Sequence, residues 1–261
     1  MKRLIYQVYV GQSSNLYNWC TESVKAYADS INADYVLLTS PKLFIKPDPF
    51  TTNRSEGASR LGYLPIFEKE NAFEYFPEYD QIAIIDSDIY IRENSPNVFD
   101  ELDDHDFGGV YEREMPVTPQ YANKIRNYSR MQYGSLDGQS GMDFDFNHPN
   151  GGAFMNMGMM VMNKSFSKQL NGMSPKEWIT QPMFKAFVDG KGTWKWSTDQ
   201  TLLNTFINMT GMKVKHLDYK FNALYTAIPN ELLKDAHFIH FFLKDKLPDR
   251  GENVEELKKI V

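Results

Sequence analysis

Apolar and polar residues along the first third of the chain form a pattern that predicts strands and helices in turn. Residues 4–10 form a short apolar run with β-branched and aromatic members, which predicts a strand. Between residues 17 and 31 the apolar positions recur at helical spacing. The other elements predicted here are a strand at 34–38, a loop at 40–58, a helix at 60–76 that starts near Pro65, and a strand at 81–85. This order favours a mostly parallel sheet flanked by helices.

The remaining two thirds are less regular. Residues 112–152 are polar and glycine-rich, and a loop of this length in a compact domain is usually functional or mobile. An apolar run from Gly158 predicts a buried strand. The other predicted elements are helices at 119–131, 198–208 (capped by Ser197 or Thr198) and 253–261, and strands at 213–217, 221–225 and 237–242. We find no repeat, and we expect one α/β domain over residues 1–261.

Composition excludes several classes of protein. The chain is 42% hydrophobic, 14% aromatic and 24% charged, as in globular proteins, so disorder and fibrous repeats are disfavoured. The net charge is −6, which disfavours nucleic-acid binding. A single cysteine, Cys20, excludes an internal disulfide or a multi-thiolate metal site. No run approaches the ~20 apolar residues of a membrane span. We expect a cytoplasmic protein, with membrane contact through 252–261 disfavoured against a solvated helix.

The most informative segment is a buried strand that runs directly into Asp86-Ser87-Asp88. Ligands of open α/β sheets bind at the carboxyl ends of the strands. Two carboxylates there can converge on one divalent cation such as Mg²⁺ or Mn²⁺, which binds phosphates together with one or two carboxylates. The apolar continuation at 89–91 argues against a solvated loop. A second acidic pair, Asp143 and Asp145, follows no predicted strand, and we interpret it as loop polarity or an acceptor-side contact.

Four sequence landmarks follow one another along nearly the whole chain: the acidic pair at 86–88, FMNMGMM at 154–160, TDQTLLN at 198–204, and FIHF at 238–241 followed by Lys246 and Pro248. In this order they resemble the metal-dependent, nucleotide-sugar-dependent glycosyltransferases of the GT-A fold. The grouping is similar to family eight, the glycogenin and lipopolysaccharide galactosyltransferase group. The resemblance implies a GT-A, Rossmann-like sheet in a single domain, with residues 1–110 binding the nucleotide sugar and residues 111–261 binding the acceptor and completing the metal site.

The resemblance also implies roles for individual residues. His240 would join Asp86 and Asp88 as a ligand of Mn²⁺ or Mg²⁺, and an imidazole favours Mn²⁺. His237, three residues earlier, points to the other side of a strand and is interpreted as structural. Lys246 would hold the diphosphate together with Ser87 and Lys69; Lys244 is the alternative to Lys246, and Arg60 is the rival of Lys69. The donor sugar would be oriented by Asn156, Asp199 and Gln200, and the base and ribose would lie against Tyr9, Val10, Gln12 and Tyr17.

The chain departs from the family pattern where Leu243 replaces a glycine, and we expect the loop there to take another backbone path. The implied reaction moves a sugar from a nucleoside-diphosphate sugar, in the first instance a UDP-sugar, to a glycan or other hydroxyl acceptor with retention of configuration. Two alternatives stay open. One is a sugar-phosphate nucleotidyltransferase, although the turn at 11–15 lacks the basic residues of that class. The other is a nucleotide- or carbohydrate-binding protein without turnover. The chain lacks G-x-G-x-x-G and P-loop motifs, which disfavours dinucleotide-dependent and P-loop enzymes.

Overall fold

The computed structural model describes residues 1–11, 13–48, 61–139, 141–191 and 199–261. Its described strands are, in chain order, β1 (Arg3–Val8), β2 (Asp34–Leu38), β3 (Gln81–Ile85), β4 (Ile89–Ile91), β5 (Phe107–Tyr111), β6 (Met155–Asn163), β7 (Val214–His216), β8 (Ala223–Leu224) and β9 (Phe238–His240). Its described α-helices are α1 (Asn15–Ser30), α2 (Pro119–Tyr133), α3 (Pro175–Ile179), α4 (Lys185–Asp189), α5 (Asp199–Thr210), α6 (Asn230–Leu233) and α7 (Val254–Lys258). The longest 3₁₀ helix spans Pro65–Tyr75 and begins at the predicted proline.

The central sheet has six strands in the order β2-β1-β3-β6-β5-β7. Every neighbouring pair is parallel except those that involve β6, which runs antiparallel to β3 and to β5. The reversal brings the first residues of β6 to the edge where β3 and β5 end. The N–H of Asp86, just past β3, donates to the carbonyl of Gly158 in β6 at 2.7 Å. The predicted mostly parallel α/β sheet and single domain are confirmed.

A second sheet of three strands, β4-β9-β8, brings two distant segments together. Strand β4 begins directly after Asp88, and β9 ends at His240. The two strands pair antiparallel with Ile89 opposite His240. The N–H of Phe241 also donates to the carbonyl of Asp88 at 2.9 Å. This register places a residue of the last third of the chain beside the acidic pair.

The predicted elements are observed with small shifts in their ends. The segment predicted as a strand at 221–225 divides into a 3₁₀ turn, Tyr219–Phe221, and the two-residue strand β8. Strand β5 was not predicted, because Gly108 and Gly109 interrupt its apolar pattern. A Cβ on Gly109 would lie 2.8 Å from Met155 Sδ, so the neighbouring strand occupies the space of a side chain. Three predicted features lie outside the described residues: the helix caps Ser197 and Thr198, residues 49–58 of the predicted loop, and Arg60.

The core lies on both faces of the six-stranded sheet. Strand β6 contributes a run of buried methionines and Val161 that fills the space between the helices, in keeping with the adaptable shape of methionine. Cys20 is free and lies on the buried face of α1. In the part of the chain that the structure describes, no helix combines the length and the apolar character that crossing a bilayer requires.

Candidate functional site

Asp86, Asp88 and His240 meet at the carboxyl end of β3. His240 Nε2 lies 3.2 Å from Asp88 Oδ1 and 3.9 Å from Asp86 Oδ2. One possible ligand atom from each residue lies within 4.8 Å of the other two. The imidazole is buried, while both carboxylates remain partly exposed to the adjoining cleft. Two carboxylate oxygens and one imidazole nitrogen form a donor set that suits Mn²⁺, so these residues fit the predicted cation.

Space for the imidazole depends on a glycine in β6. A Cβ on Gly158 would lie 2.3 Å from His240 Cε1 and 2.5 Å from Nδ1. Contacts under 3 Å with a buried ring cannot be relieved by a small rotation, because the packing around the ring leaves no free volume. Gly158 therefore allows His240 to lie against the strand, with its Nε2 directed to the carboxylates.

Gly158→Ala is expected to displace the imidazole. We expect a stability loss of about 1–3 kcal/mol from overpacking, and loss of Mn²⁺ binding because His240 no longer meets Asp86 and Asp88. Thermal unfolding and calorimetry with MnCl₂ measure the two effects. Gly108→Ala is the control in the same sheet, since its Cβ would meet only side-chain methyl groups at 3.0 Å. Normal Mn²⁺ affinity in Gly158→Ala would contradict the placement of His240.

Lys69 lies beneath the acidic pair and is almost fully buried. Its Nζ contacts Asp86 Oδ1 at 2.6 Å and Asp199 Oδ2 at 2.8 Å, and it donates to the carbonyl of Met157 at 3.1 Å. The lysine comes from the 3₁₀ helix before β3, and Asp199 opens α5. Lys69 thus bridges Asp199, another predicted site residue, to the metal-site carboxylate of Asp86.

The charges of the group shift one another's pKa values. Burial raises the pKa of Asp86 to about 6, against the opposing effect of Lys69. Burial also favours the neutral form of Asp88, yet the His240 imidazole beside it holds the pKa of that carboxyl below its usual range. For His240, burial is the largest single effect and lowers the pKa, but the charges of Asp88 and Asp86 and the hydrogen bond to Asp88 together leave the pKa above its ordinary value. Strong mutual perturbation in a cleft is typical of functional sites.

The acidic pair opens into a cleft of about 270 Å³ that contains most of the predicted donor-binding residues. Lys69 and the acidic pair line one part, and the first strand and first helix line another. The complete lining is Val8, Tyr9, Val10, Tyr17, Pro65, Ile66, Lys69, Asp86, Ser87 and Asp88. The rings of Tyr9 and Tyr17 meet edge to face, with centroids 5.4 Å apart. The predicted Gln12 lies outside the described residues.

A second cleft of about 340 Å³ is lined by Asn156 and Gln200. Its walls are aromatic and include one buried acid; the other lining residues are Glu112, Tyr121, Lys124, Ile125, Tyr128, Phe242 and Leu243. Gln200 Oε1 accepts from the N–H of Met157, whose carbonyl accepts from Lys69. The structure therefore brings Asn156 and Gln200 close to the acidic group but places them on a separate cleft.

The predicted diphosphate lysine, Lys246, lies exposed in a 3₁₀ turn and does not line either cleft. Lys244 lies nearer: its Nζ is 3.6 Å from the ring centroid of Tyr17. Leu243 adopts a left-handed conformation with φ 58° and ψ 62°, the region that favours glycine. At the position where family eight has a glycine, this chain has a leucine, and that leucine adopts the backbone conformation that glycine favours.

The segment after His240 is fastened to the start of α1. Glu252 accepts hydrogen bonds from Ser14 Oγ at 2.7 Å and from the N–H of Asn15 at 2.9 Å. A carboxylate at a helix N-terminus pairs with unsatisfied N–H groups and with the helix dipole. Residues 241–251 therefore extend from the acidic group to the helix that carries Tyr17, along the rim of the first cleft.

Three functional candidates were not predicted. Glu112 and Asn222 are buried polar residues joined to Asn156 and His240. Asn204 makes two bonds to the backbone of Met155, at 2.7 and 2.9 Å, and so fixes the start of β6. Asn222 was detectable as one amide within the apolar run 221–225. Glu112 follows the unpredicted β5, and no local pattern marks it. The second acidic pair lies in a loop, where Asp145 contacts Arg113 at 2.9 Å.

Solved structures of similar fold are glycosyltransferases. One involved in the glycosylation of the major capsid of PBCV-1 matches with a TM-score of 0.55 and 17% identity, over 98% of this chain and 100% of that chain. The galactosyltransferase LgtC, in complex with donor and acceptor sugar analogues, matches with a TM-score of 0.53 and 14% identity, over 98% and 94%. The bifunctional glycosyltransferase WbbM matches with 0.52 and 15%, over 92% of this chain and 46% of that chain.

No family profile and no curated protein matches the sequence. The structural likeness, at these identities, bears on the fold. It agrees with the motif order along the chain, which led to the same group independently. The chain therefore has the GT-A fold of these glycosyltransferases, similar to that of family eight.

Proposed function

We propose that the protein transfers a sugar from a nucleoside-diphosphate sugar, UDP-linked in the first instance, to a hydroxyl of a glycan or another acceptor, with Mn²⁺ as cofactor. The observation that carries this proposal is the meeting of Asp86, Asp88 and His240 at the end of β3. The two aspartates line the first cleft, which also contains the rings of Tyr9 and Tyr17, and the GT-A fold supports sugar transfer as the chemistry of such a cleft.

The first cleft has the parts that a nucleotide needs. Tyr9, Val10 and Tyr17 offer flat and apolar surfaces for a base and ribose. A divalent cation held by the acidic pair and His240 would neutralise the diphosphate and the charge that develops when it leaves. Two lysines are candidates for a further contact to the diphosphate. Lys244 lies beside Tyr17, and Lys246 has the spacing from His240 that family eight uses.

Lys69 and Asp199 position the donor sugar in this proposal. Lys69 already has two carboxylate partners, so it holds Asp86 and Asp199 at a fixed separation. In the proposal the second carboxylate oxygen of Asp199, at the start of α5, is the candidate partner for a sugar hydroxyl. Gln200, next in the chain, lines the second cleft, which the proposal assigns to the acceptor.

The acceptor would occupy the second cleft, where Tyr121, Tyr128 and Phe242 provide aromatic surfaces for a sugar ring. Without an enzyme nucleophile, retention of configuration needs attack from the face that the diphosphate leaves. The acceptor oxygen bonds to the anomeric carbon as the bond to the diphosphate breaks, and the departing diphosphate oxygen takes the acceptor proton. Gln200 lies where an amide can orient the reacting hydroxyl.

A screen of nucleotide sugars for Mn²⁺-dependent release of the nucleoside diphosphate tests the proposal. We expect slow hydrolysis of one UDP-sugar in the absence of acceptor, and loss of the reaction when EDTA is added. Pyrophosphate formation from a sugar phosphate and a nucleoside triphosphate would instead identify a nucleotidyltransferase. Mn²⁺-dependent UDP binding in calorimetry, without turnover of any nucleotide sugar, would identify a binding protein.

A further inference from the structure

A buried chain of hydrogen bonds runs from the second cleft to the imidazole of His240. Asn156 Nδ2 donates to Glu112 Oε1 at 2.8 Å. Asn222 Nδ2 donates to Asn156 Oδ1 at 2.9 Å, and Asn222 Oδ1 lies 3.0 Å from His240 Nδ1. All four residues are buried, and Asn222 is fully so. An unpartnered polar atom in such a place is costly, so the orientation of each group constrains the next.

A backbone donor fixes which atom of each amide in this hydrogen-bond chain donates and which accepts. The N–H of Gly158, which can only donate, lies 3.0 Å from Asn156 Oδ1. The amide of Asn156 must therefore present its oxygen to Gly158 and its nitrogen to Glu112. Asn222 then faces two oxygens of Asn156, Oδ1 at 2.9 Å and the main-chain carbonyl at 3.3 Å. Its nitrogen belongs on that side, which leaves its oxygen facing His240.

The end of the hydrogen-bond chain at Glu112 supports the same order of donors and acceptors. Glu112 Oε2 accepts from the hydroxyl of Tyr121 at 3.3 Å, so Oε1 is free to accept from Asn156. This holds for either protonation state of Glu112, because a proton on Oε2 could be donated to the tyrosine oxygen instead. The order of donors and acceptors is therefore independent of pH at Glu112.

From this order we infer that Asn222 is a positioning residue that keeps a proton on His240 Nδ1 and so leaves Nε2 as the nitrogen available to a metal ion, with Asn156 and Glu112 holding Asn222 in place. An amide oxygen can only accept, and a bare Nδ1 at 3.0 Å would oppose two lone pairs. Nε2 faces Asp88 Oδ1 at 3.2 Å, so a proton on Nε2 is the one that a cation bound between these groups would displace. The benefit for metal binding rests on the proposed function, whereas the position of the proton does not.

Nitrogen-15 NMR of the imidazole in the metal-free protein reads the proton position directly. We expect His240 Nδ1 to show the shift of a protonated nitrogen in the wild type. In Asn222→Leu we expect the neutral imidazole to carry its proton on Nε2, because Nδ1 has lost its acceptor and Asp88 Oδ1 lies 3.2 Å from Nε2. A bare Nδ1 in the wild type, or an Nδ1 that stays protonated in Asn222→Leu, overturns the inference. If the variant does not fold, the wild-type spectrum alone decides.

Calorimetry with MnCl₂ gives the second readout. We expect Asn222→Leu to bind Mn²⁺ about 10- to 100-fold more weakly, the usual effect of removing the partner of a ligating histidine. Gln81→Leu is the matched control, because this buried amide bonds Phe99 and Asn163 at the opposite end of β3. An equal loss of affinity in Gln81→Leu would overturn the specific role of Asn222. Absence of Mn²⁺ binding in the wild type, with the NMR result as expected, would refute the proposed function and leave the inference standing.

Discussion

Asp88→Asn is expected to abolish Mn²⁺-dependent binding of UDP while the protein stays folded. The substitution keeps the shape of the side chain but removes a charge that lies 3.2 Å from His240 Nε2. An amide oxygen is a weaker ligand than a carboxylate, and its NH₂ group would face the imidazole or the cation. We expect kcat/KM for the transferred sugar to fall by at least about 100-fold, the scale for losing one electrostatic contact to a developing charge.

The control for this experiment is the second acidic pair. Asp143→Asn changes the same residue type in the same sequence pattern, but Asp143 accepts from the N–H of Asp145 in its own loop, away from the first cleft. We expect its UDP binding, measured by calorimetry with and without Mn²⁺, to equal that of the wild type. Normal Mn²⁺-dependent UDP binding by Asp88→Asn would remove the metal site from the proposal.

Lys69→Met is expected to be the most destabilising single substitution at the site. It removes the buried cation between Asp86 and Asp199, and the two carboxylates then face each other without the charge that separates them. Breaking a buried ion pair from one side costs about 3–5 kcal/mol, because the remaining charge stays desolvated. For a chain of this size we expect the melting temperature to fall by more than about 6 °C.

Two further variants test whether the loss of stability comes from the buried carboxylates or from the loss of any lysine. Adding Asp199→Asn to Lys69→Met removes one stranded carboxylate, and we expect part of the lost stability to return. Lys213→Met breaks an ion pair with Asp104 of the same length, 2.8 Å, but both side chains are exposed. We expect its melting temperature to change little, since exposed pairs contribute little. A small effect of Lys69→Met in thermal unfolding would contradict the buried bridge.

The residues that the sequence could identify are those that repeat a local pattern. The acidic pair follows an apolar strand, and Asp199 opens a helix, so periodicity and position mark both. His240 closes a short apolar run, and its approach to Asp88 depends on the β4–β9 register. That register joins segments about 150 residues apart in the chain, beyond what periodicity can reveal. The resemblance to family eight, carried by the order of the four motifs, led us to predict that His240 joins the acidic pair.

The features that the sequence did not reveal depend on packing between distant segments. Strand β5 carries two glycines because Met155, Leu102 and Val161 occupy the space above them, and this removes the usual strand pattern. Glu112 and Asn222 are single polar residues whose partners lie far along the chain. Lys244 and Lys246 have equal charge and near-equal position, and only the path of the turn places Lys244 beside Tyr17.

The reversed direction of β6 has a consequence for how substrate range can change. The connection that leads into β6 ends at the catalytic edge of the sheet, whereas the turn that leaves β6 lies at the opposite edge. Within this connection the buried rings of Phe144 and Phe154 pack against Tyr133 of α2, the helix whose Tyr121 and Tyr128 line the second cleft. Under the proposed function, substitutions in this connection would therefore reach the acceptor side through α2 before they reach the acidic group at the end of β3.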